Sequence, residues 1–315
     1  MTLLTLPCSW SFKRNMLAYG WRLICICSLL CCLNMPVYAQ VILSAEQDSP
    51  AVRNFAQQLA QALPQHAIHY MPRSQLETHI SFAEDTQLIL LGPKLLDWRL
   101  QLTQSAPPTL IMQVSRVQAH KRFSNQQPKH LTFLWSDPPL DRQIALLKAM
   151  LPGVQHIGVL YGDHSAFLLE EIEQTLQAKQ LTLHKYYWPN SYDARSLANL
   201  LNQTDALLGV DDARIYNPTT IKSILLSSYA RKQSLIGPTA AFIKAGSLAS
   251  TYTDQDNWIN TLQKLLQTPA KAWPASLYPD GFKVIVNQQV ARSLGIQKSR
   301  PSELTEQLQQ NRPAP

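Results

Sequence analysis

The chain has 315 residues, of which 45% are apolar and 16% are charged. That length suits one large or two moderate domains with substantial cores. The formal net charge is +7, but no run of lysines and arginines exceeds two residues, so the sequence lacks the clustered basic face that is typical of nucleic-acid-binding proteins.

The first 39 residues carry the features of a leader for export. All five cysteines of the chain lie within its first 32 residues. Basic residues at Lys13, Arg14 and Arg22 precede the apolar run Leu23–Leu33, and the small residue Ala39 ends the segment. This order predicts a secretory signal peptide over residues 1–39 that is cleaved after Ala39. The apolar run is too short for a membrane-spanning helix, which needs about 20 residues.

A lipid anchor on Cys31 or Cys32 is the alternative role of this leader. Bacterial lipoprotein signals place a small residue immediately before the modified cysteine, whereas Leu30 precedes Cys31. We therefore expect a mature chain that is periplasmic or secreted and has no thiol in its oxidising compartment.

Beyond the leader, short apolar runs alternate with amphipathic helical patterns. Continuously apolar strands between helices indicate parallel sheets that are covered by helices on both faces. The predicted strands are Val41–Ser44, Ala67–Tyr70, Gln87–Leu91, Thr109–Val114, Leu131–Leu134, His156–Tyr161, Leu181–Tyr187, Ala206–Val210, Ser234–Ile236 and Leu248–Tyr252. The predicted helices are Pro50–Ala62, Pro139–Met150, Ala166–Lys179, Ala194–Leu201, Thr219–Lys232 and Gln255–Leu266.

The sequence divides into two such α/β series near residues 135–138, where a turn rich in proline follows a predicted strand. We predict a first lobe over residues 40–137 plus about 268–300, and a second lobe over residues 138–267. The fold class is then α/β, with two doubly wound parallel-sheet lobes joined by a hinge. In such sheets ligands bind beyond the carboxyl ends of the strands, so the cleft between the lobes is the expected site.

The C-terminal part predicts one further strand and helix. The strand Lys283–Val286 and the helix Asn287–Leu294 are too small to form a domain of their own. We expect both to return to the first lobe. Residues 301–315 are predicted to be a flexible tail.

Four segments in the second half resemble a known family. Leu140–Gly162 contains a helix, a Leu-Pro turn and a strand ending in Ile-Gly-Val-Leu-Tyr. Asp205–Ile215, Ile236–Ser250 and Val286–Ile296 follow in the order and spacing of the same family. By these segments the chain resembles the ABC-transporter substrate-binding proteins, in the tryptophan-binding-like branch of the type I periplasmic binding proteins. The first lobe diverges, since Val114-Ser115-Arg116 stands where family members usually have a Thr-Asp-Pro loop.

The resemblance implies a solute-binding protein of type I periplasmic binding fold. Such a protein closes two lobes on an amino acid or a similar small ligand and presents the closed form to an ABC permease. A ligand-sensing module of the same fold that signals to a membrane receptor is one alternative, and an envelope enzyme is another. We expect a monomer without a nucleic-acid partner.

Asp211 and Asp212 follow an apolar strand of the second lobe, at the predicted cleft. A carboxylate there can bind a ligand ammonium or guanidinium group through charge-assisted hydrogen bonds. The alternative is structural, with Asp212 capping a turn or Arg214 pairing with one of the carboxylates. The resemblance favours Asp211 as a ligand contact.

Four further residues complete the second-lobe candidates. Tyr161 and Ser165 lie in a strand-to-helix turn, where a helix N-terminus suits a carboxylate or phosphate, although Ser165 can equally be an ordinary N-cap. Pro238 and Thr239 end another strand in a turn that allows close approach of a ligand, and turn chemistry explains them equally well.

The first lobe offers two weaker candidates. Ser44 follows the first strand, and Gly92 follows the third. Both positions are at carboxyl ends of predicted parallel strands, where ligands bind.

The sequence shows no motif for catalysis, a metal or a cofactor. It lacks a Gly-x-Ser-x-Gly elbow, a glycine-rich phosphate loop and a His-Glu-x-x-His helix. His66 and His69 form the closest histidine pair, and their spacing puts the two rings on opposite faces of a strand. We therefore expect a protein that is not an enzyme and has no metal or cofactor.

Overall fold

The computed structural model describes residues 40–79, 81–102, 106–123, 130–188, 194–296 and 300–311. The expected signal peptide and its cleavage site lie outside these ranges. No helix within them is long and apolar enough to cross a membrane.

The described residues form twelve strands in two sheets. In chain order they are β1 Gln40–Ala45, β2 Ala67–Tyr70, β3 Gln87–Leu91, β4 Thr109–Val114, β5 Leu131–Trp135, β6 His156–Tyr161, β7 Thr182–Tyr187, β8 Ala206–Leu208, β9 Ser234–Ile236, β10 Ala249–Tyr252, β11 Ser276–Leu277 and β12 Lys283–Val286.

The α-helices of the described residues surround both sheets. They are α1 Pro50–Ala62, α2 Arg73–Leu76, α3 Pro93–Gln101, α4 Arg116–His120, α5 Leu140–Met150, α6 Leu169–Ala178, α7 Ala194–Leu201, α8 Ile221–Tyr229, α9 Phe242–Ala245, α10 Gln255–Leu266, α11 Gln288–Ser293 and α12 Pro301–Gln310. Short 3₁₀ helices lie at Ala166–Leu168 and Ala270–Ala272.

The two sheets have equivalent strand orders. The strand order is β2-β1-β3-β4-β5-β11 in the first sheet and β7-β6-β8-β9-β10-β12 in the second. All pairs are parallel except β12, which runs antiparallel to β10. This is the doubly wound arrangement that the alternating pattern predicts, and the predicted fold class is confirmed.

Burial on both faces explains the continuously apolar strands. In β3, Leu88 and Leu90 belong to the apolar cluster on one face of the first sheet, and Ile89 and Leu91 to the cluster on the other. Successive side chains of a strand point to opposite faces, so all four positions must be apolar. The second sheet and its helices form one larger cluster.

The C-terminal strand and helix were expected in the first lobe, and this expectation is wrong. From β11 the chain crosses to the second sheet, where Ser250 of β10 is opposite Ile285 of β12. Phe282, Val284 and Val290 are buried in the second-lobe cluster. The alternation of strands and helices predicts parallel strands, which need long crossovers. An antiparallel edge strand needs no long crossover, so the alternation does not show which sheet β12 joins.

The predicted second-lobe helix Gln255–Leu266 also lies elsewhere. This helix, α10, buries Ile259, Leu262 and Leu265 in the cluster that contains Leu59 of α1. Because its apolar face packs against α1, α10 belongs to the first lobe. We define the first lobe as the first sheet with α1–α4 and α10, and the second lobe as the second sheet with α5–α9, α11 and α12.

The predicted flexible tail is wrong for residues 301–310. These residues form α12, whose Leu304 and Leu308 are buried in the second-lobe cluster. The Val284 amide of β12 donates a hydrogen bond to Thr305 Oγ1 at 3.0 Å. The helix therefore covers an edge of the second lobe, and residues 312–315 lie outside the described ranges.

Candidate functional site

The carboxyl ends of the strands of both lobes face each other across a small cavity. Its volume is about 10 Å³, which is room for about one water molecule. Residues that follow β4, β5, β8 and β9 line it, among them Arg116, Asp137, Asp211 and Pro238. This is the position where ligands bind in doubly wound sheets, and the cleft is closed around it.

Asp211 is, with Pro238, one of two predicted contacts that line this cavity. It follows β8 and receives a hydrogen bond from the Ser115 side chain of the first lobe. Burial raises the pKa of the Asp211 carboxyl, the Ser115 hydrogen bond opposes that shift, and the neighbouring charge of Asp212 adds to it. Asp211 therefore joins the two lobes and carries a carboxylate that a cation would stabilise.

Asp137 faces the same cavity from the first lobe, directly after β5. Its Oδ1 accepts a hydrogen bond from the Arg116 amide at 2.9 Å. Burial raises the pKa of Asp137 to about 7, the Arg116 amide opposes the shift, and the charge of Asp211 adds to it. From the sequence, the turn at residues 136–139 predicts only a lobe boundary near residues 135–138. An acidic residue immediately after a buried strand was the signal for its role in the site.

Arg116 is the cation of the cavity and contacts both lobes. Its guanidinium Nη2 lies 2.5 Å from Glu171 Oε2 on α6, and Nη1 lies 3.5 Å from Tyr278 Oη. Burial alone would lower the pKa of Arg116, but the hydrogen bond to Glu171 and the charges of Tyr278 and Glu171 raise it above its ordinary value. Arg116 therefore stays charged and holds α4 to the second lobe.

An irregularity in β4 precedes Arg116. The pairing of β4 with β5 shifts between Ile111 and Val114, and Gln113 between them has a φ of 56°. Such bulges bend a strand and redirect the residues that follow it. The bulge directly precedes Ser115 and Arg116, the two first-lobe residues that contact second-lobe carboxylates. In the sequence, this position stands out only as a departure from the family pattern.

The remaining contacts of α4 reinforce the closed arrangement. Val117 is buried in the second-lobe cluster. The ring of His120 stacks on Phe167 with centroids 4.0 Å apart, and the Arg116 guanidinium lies 5.8 Å from the centre of the same ring. A five-residue helix of the first lobe is thus docked on the second lobe.

Ser165 and Asp212 bind each other. Ser165 Oγ donates to Asp212 Oδ2 at 2.7 Å and accepts from the Gly162 amide at 3.0 Å, while the Arg214 amide donates to Asp212 Oδ1 at 3.0 Å. Both side chains are buried and neither lines the cavity. Their contacts are those of a turn scaffold for β6 and β8, and the alternative in which Asp212 caps a turn has direct support.

The other predicted second-lobe residues differ in position. Pro238 lines the cavity, and its ring leaves no space for a side chain at Gly209, where an added Cβ would lie 2.7 Å from Pro238 Cδ. Thr239 is the next residue and does not line the cavity. Tyr161 packs edge to face on Tyr187, with ring centroids 5.6 Å apart, beside the Ser165 turn.

The first-lobe candidates, Ser44 and Gly92, do not line the cavity. Ser44 is fully buried, and its hydroxyl has no hydrogen-bond partner among the described residues. Gly92 has a φ of 107°, and the Glu46 side chain occupies the space that a Cβ would need, 2.7 Å away. Glu46 Oε1 accepts from the Lys94 amide at the N-terminus of α3. The protein's own carboxylate therefore fills the anion-binding position beside Gly92.

Gln143 is a buried cavity residue that the sequence analysis missed. Its amide nitrogen donates to Gly237 O at 2.8 Å, and its amide oxygen accepts from the Thr251 amide at 3.0 Å. These bonds tie α5 to the ends of β9 and β10. Within the described ranges, no three histidine, cysteine, aspartate or glutamate side chains are grouped to hold a metal ion.

Comparisons with known proteins agree with this geometry. The family model described as ABC transporter substrate binding protein matches residues 103–304. A search of curated protein sequences gave no match.

Two solved structures illustrate the fold. A domain of an ABC protein from Streptococcus pneumoniae in complex with L-Trp is 16% identical, with a TM-score of 0.54 over 85% of this chain and 98% of that one. A ligand-free, open substrate-binding protein with adhesive properties from Clostridium difficile is 15% identical, with a TM-score of 0.63 over 83% and 96% of the two chains. At these identities the likeness shows the fold, and the family match covers more than half of the chain. The chain therefore belongs to the family of ABC transporter substrate-binding proteins.

Proposed function

We propose that the protein is an extracytoplasmic solute-binding protein that captures a small ligand between its lobes and delivers it to an ABC importer. Export rests on the leader at residues 1–39, with cleavage after Ala39. The family match supports a role in solute binding rather than in catalysis. The two lobes would act as one binding unit, working as a monomer with a membrane permease.

The observation that carries the proposal is the meeting of Asp137 and Asp211 in one cavity. The two carboxylates come from different lobes. Burial raises the pKa of each, and the charge of Asp211 adds to the rise in the pKa of Asp137. A ligand ammonium or guanidinium group between them would remove that electrostatic cost and connect the lobes. We therefore propose a ligand with a cationic nitrogen, such as an amino acid or a related amine.

The cleft must open before such a ligand can enter. A cavity of about 10 Å³ admits about one water molecule, far less than any amino acid. A ligand that binds between the lobes then stabilises the closed form by its greater affinity for that form. Arg116 is the group available for a ligand carboxylate when its contact with Glu171 is released.

Replacing Asp211 tests the proposal directly. Wild-type protein is screened by thermal unfolding against amino acids, aromatic ones included, and against amines without a carboxylate. A ligand at 100 times its dissociation constant stabilises the folded state by about 2.7 kcal/mol. Asp211→Asn removes one of the two charges, and we expect it to weaken binding of a cationic ligand about tenfold or more, since a hydrogen bond to a charged group contributes about 1.5–3 kcal/mol.

Asp163→Asn is the matched control, because Asp163 is exposed and bonds Tyr187 outside the cavity. It should bind ligand as the wild type does. Equal affinity of wild type and Asp211→Asn would show that the ligand does not use this carboxylate. No stabilisation by any solute of the panel would count against solute binding itself.

A sensing role is the second candidate function. The Glu46 carboxylate fills the anion-binding position beside Gly92, and Arg116 is paired with Glu171, so two groups suited to a ligand anion are engaged within the protein. Such a protein could signal to a membrane receptor instead of a permease. Capture of an ABC permease by the ligand-loaded protein would favour transport, and capture of a receptor would favour sensing.

A further inference from the structure

Two histidines of the second lobe form a close pair far from the cleft ends of the strands. His156 is the first residue of β6, and His184 lies on the edge strand β7. His184 is registered with Gly158, two residues after His156. Residues two apart in a strand share a face, so the two imidazoles are diagonal neighbours on one face of the sheet.

The ring nitrogens of this pair are at the spacing of two ligands on one metal ion. His156 Nδ1 lies 3.1 Å from His184 Nε2. A point about 2.05 Å from each nitrogen, the usual length of a zinc–imidazole bond, would see them at an angle of roughly 98°. That angle lies between the octahedral and the tetrahedral values, so the separation of the two nitrogens suits two ligands of one ion.

Gln203 sets the tautomer that metal binding requires. Its amide oxygen lies 3.3 Å from His184 Nδ1. Because an amide oxygen only accepts, this contact favours the tautomer of His184 with the proton on Nδ1 and a lone pair on Nε2. A metal ion would replace the proton that His156 Nδ1 and His184 Nε2 share in their contact. Metal-binding histidines are oriented in this way, with the second ring nitrogen donating to a carbonyl or carboxylate.

Asp205 supplies negative charge beside the pair. Its Oδ2 accepts from the Gln155 and His156 amides, each at 2.8 Å, which also fixes the backbone of His156. We propose that His156 and His184 form a binding site for a divalent transition-metal ion, with water completing its coordination. Imidazole ligands favour Cu²⁺, Ni²⁺ and Zn²⁺ over Mg²⁺ and Ca²⁺. The ion would tie the edge strand β7 to β6, independently of what the cleft binds.

Metal titration of untagged protein tests this site. Calorimetry and thermal unfolding with Cu²⁺, Ni²⁺, Zn²⁺ and Mg²⁺ should show one bound ion per chain, tightest for Cu²⁺, with a rise in Tm and no response to Mg²⁺. His156→Gln and His184→Gln should each weaken binding about tenfold or more, and Gln203→Leu should weaken it less.

His69→Gln is the control, since His69 is an exposed histidine of the first lobe. It should leave binding and the metal-dependent rise in Tm unchanged. Circular dichroism of the metal-free variants confirms that each is folded. Absence of binding to wild-type protein, or equal binding by folded His184→Gln, would overturn the proposal.

Discussion

At the scale of single residues, the chemistry of the cleft rests on Asp137, Asp211 and Arg116. Arg116 lines the cavity and its charge opposes the rise in the pKa of Asp137, but its guanidinium bonds Glu171 and Tyr278. Burial raises the pKa of both the Asp137 and the Asp211 carboxyl. A ligand cation between the two carboxylates would favour their ionised forms.

Asp137→Asn is expected to change how stability depends on pH. Burial raises the pKa of Asp137 to about 7 from an ordinary 3.8. The folded chain therefore keeps a proton that the unfolded chain releases. The contribution of this group to the free energy of unfolding is fully present below about pH 4. It is lost as the pH rises through about 7, which lowers the free energy of unfolding by a few kcal/mol. Asparagine keeps an oxygen for the Arg116 amide and does not ionise.

Thermal unfolding of both proteins between about pH 4 and pH 8 measures this effect. As the pH rises, the Tm of the variant should increase relative to the Tm of the wild type. Asp163→Asn, exposed and outside the cavity, should show no such trend. A difference in Tm that stays constant with pH would mean that Asp137 is ionised in the folded protein across this range.

At the scale of elements, α4 and α6 hold the lobes together in the closed form. The Arg116–Glu171 ion pair joins these two helices. His120 of α4 stacks on Phe167 in the 3₁₀ helix before α6, and Val117 of α4 is buried in the second-lobe cluster. Glu171 lies outside the cavity lining. It therefore affects closure without contacting a ligand in the cavity.

Glu171→Gln is expected to shift the ligand-free protein towards an open form. The side chain of Glu171 is 44% exposed, and ion pairs of this kind contribute about 0.2–1 kcal/mol, so the open population should rise a few-fold. All five cysteines lie in the first 32 residues. In protein produced from residue 40 onward, dyes on Gln61→Cys of α1 and Gln177→Cys of α6 therefore report the distance between the lobes by single-molecule fluorescence transfer.

Glu170→Gln is the matched control, because among the described residues the neighbouring Glu170 side chain is hydrogen-bonded only to Gln174 of its own helix. It should leave the distance distribution unchanged. If Glu171→Gln also leaves it unchanged, the apolar contacts of α4 alone maintain closure.

At the scale of the whole molecule, two sheets with the same strand order are connected by three crossings of the chain. The chain crosses between β5 and α5, between β10 and α10, and between β11 and β12. Each crossing places a helix or strand in the lobe other than the one in which the preceding strand lies. Neither lobe is therefore continuous in sequence, and α12 completes the second one.

Leu304→Ala is expected to destabilise the protein by about 2–5 kcal/mol, the usual cost of such a truncation in a core. Leu304 is 4% exposed and belongs to the second-lobe cluster. Urea unfolding measures the change. Glu303→Ala, one residue earlier and exposed, should cost less than about 0.5 kcal/mol. Equal stability of the two variants would mean that α12 does not pack as described.

Local pattern was sufficient for the strands, the helices and the repeated α/β series. Position along the chain was a poorer guide to the lobe of those elements that depart from the alternating series. The antiparallel β12, the placement of α10 and the ordered α12 all follow from packing between segments far apart in the chain. Periodicity shows that a helix has an apolar face, but it does not show which lobe covers that face.

The same division holds for the site. The sequence by itself determined that Asp211 ends a buried parallel strand and so lies at the edge where ligands bind. Only the tertiary structure decided that Ser165 and Asp212 bind each other, that Glu46 fills the space at Gly92, and that Arg116 and Asp137 share the cavity with Asp211. The physical reason is that these contacts join residues up to 95 positions apart, and the packing of two lobes, rather than any local preference of the chain, brings them together.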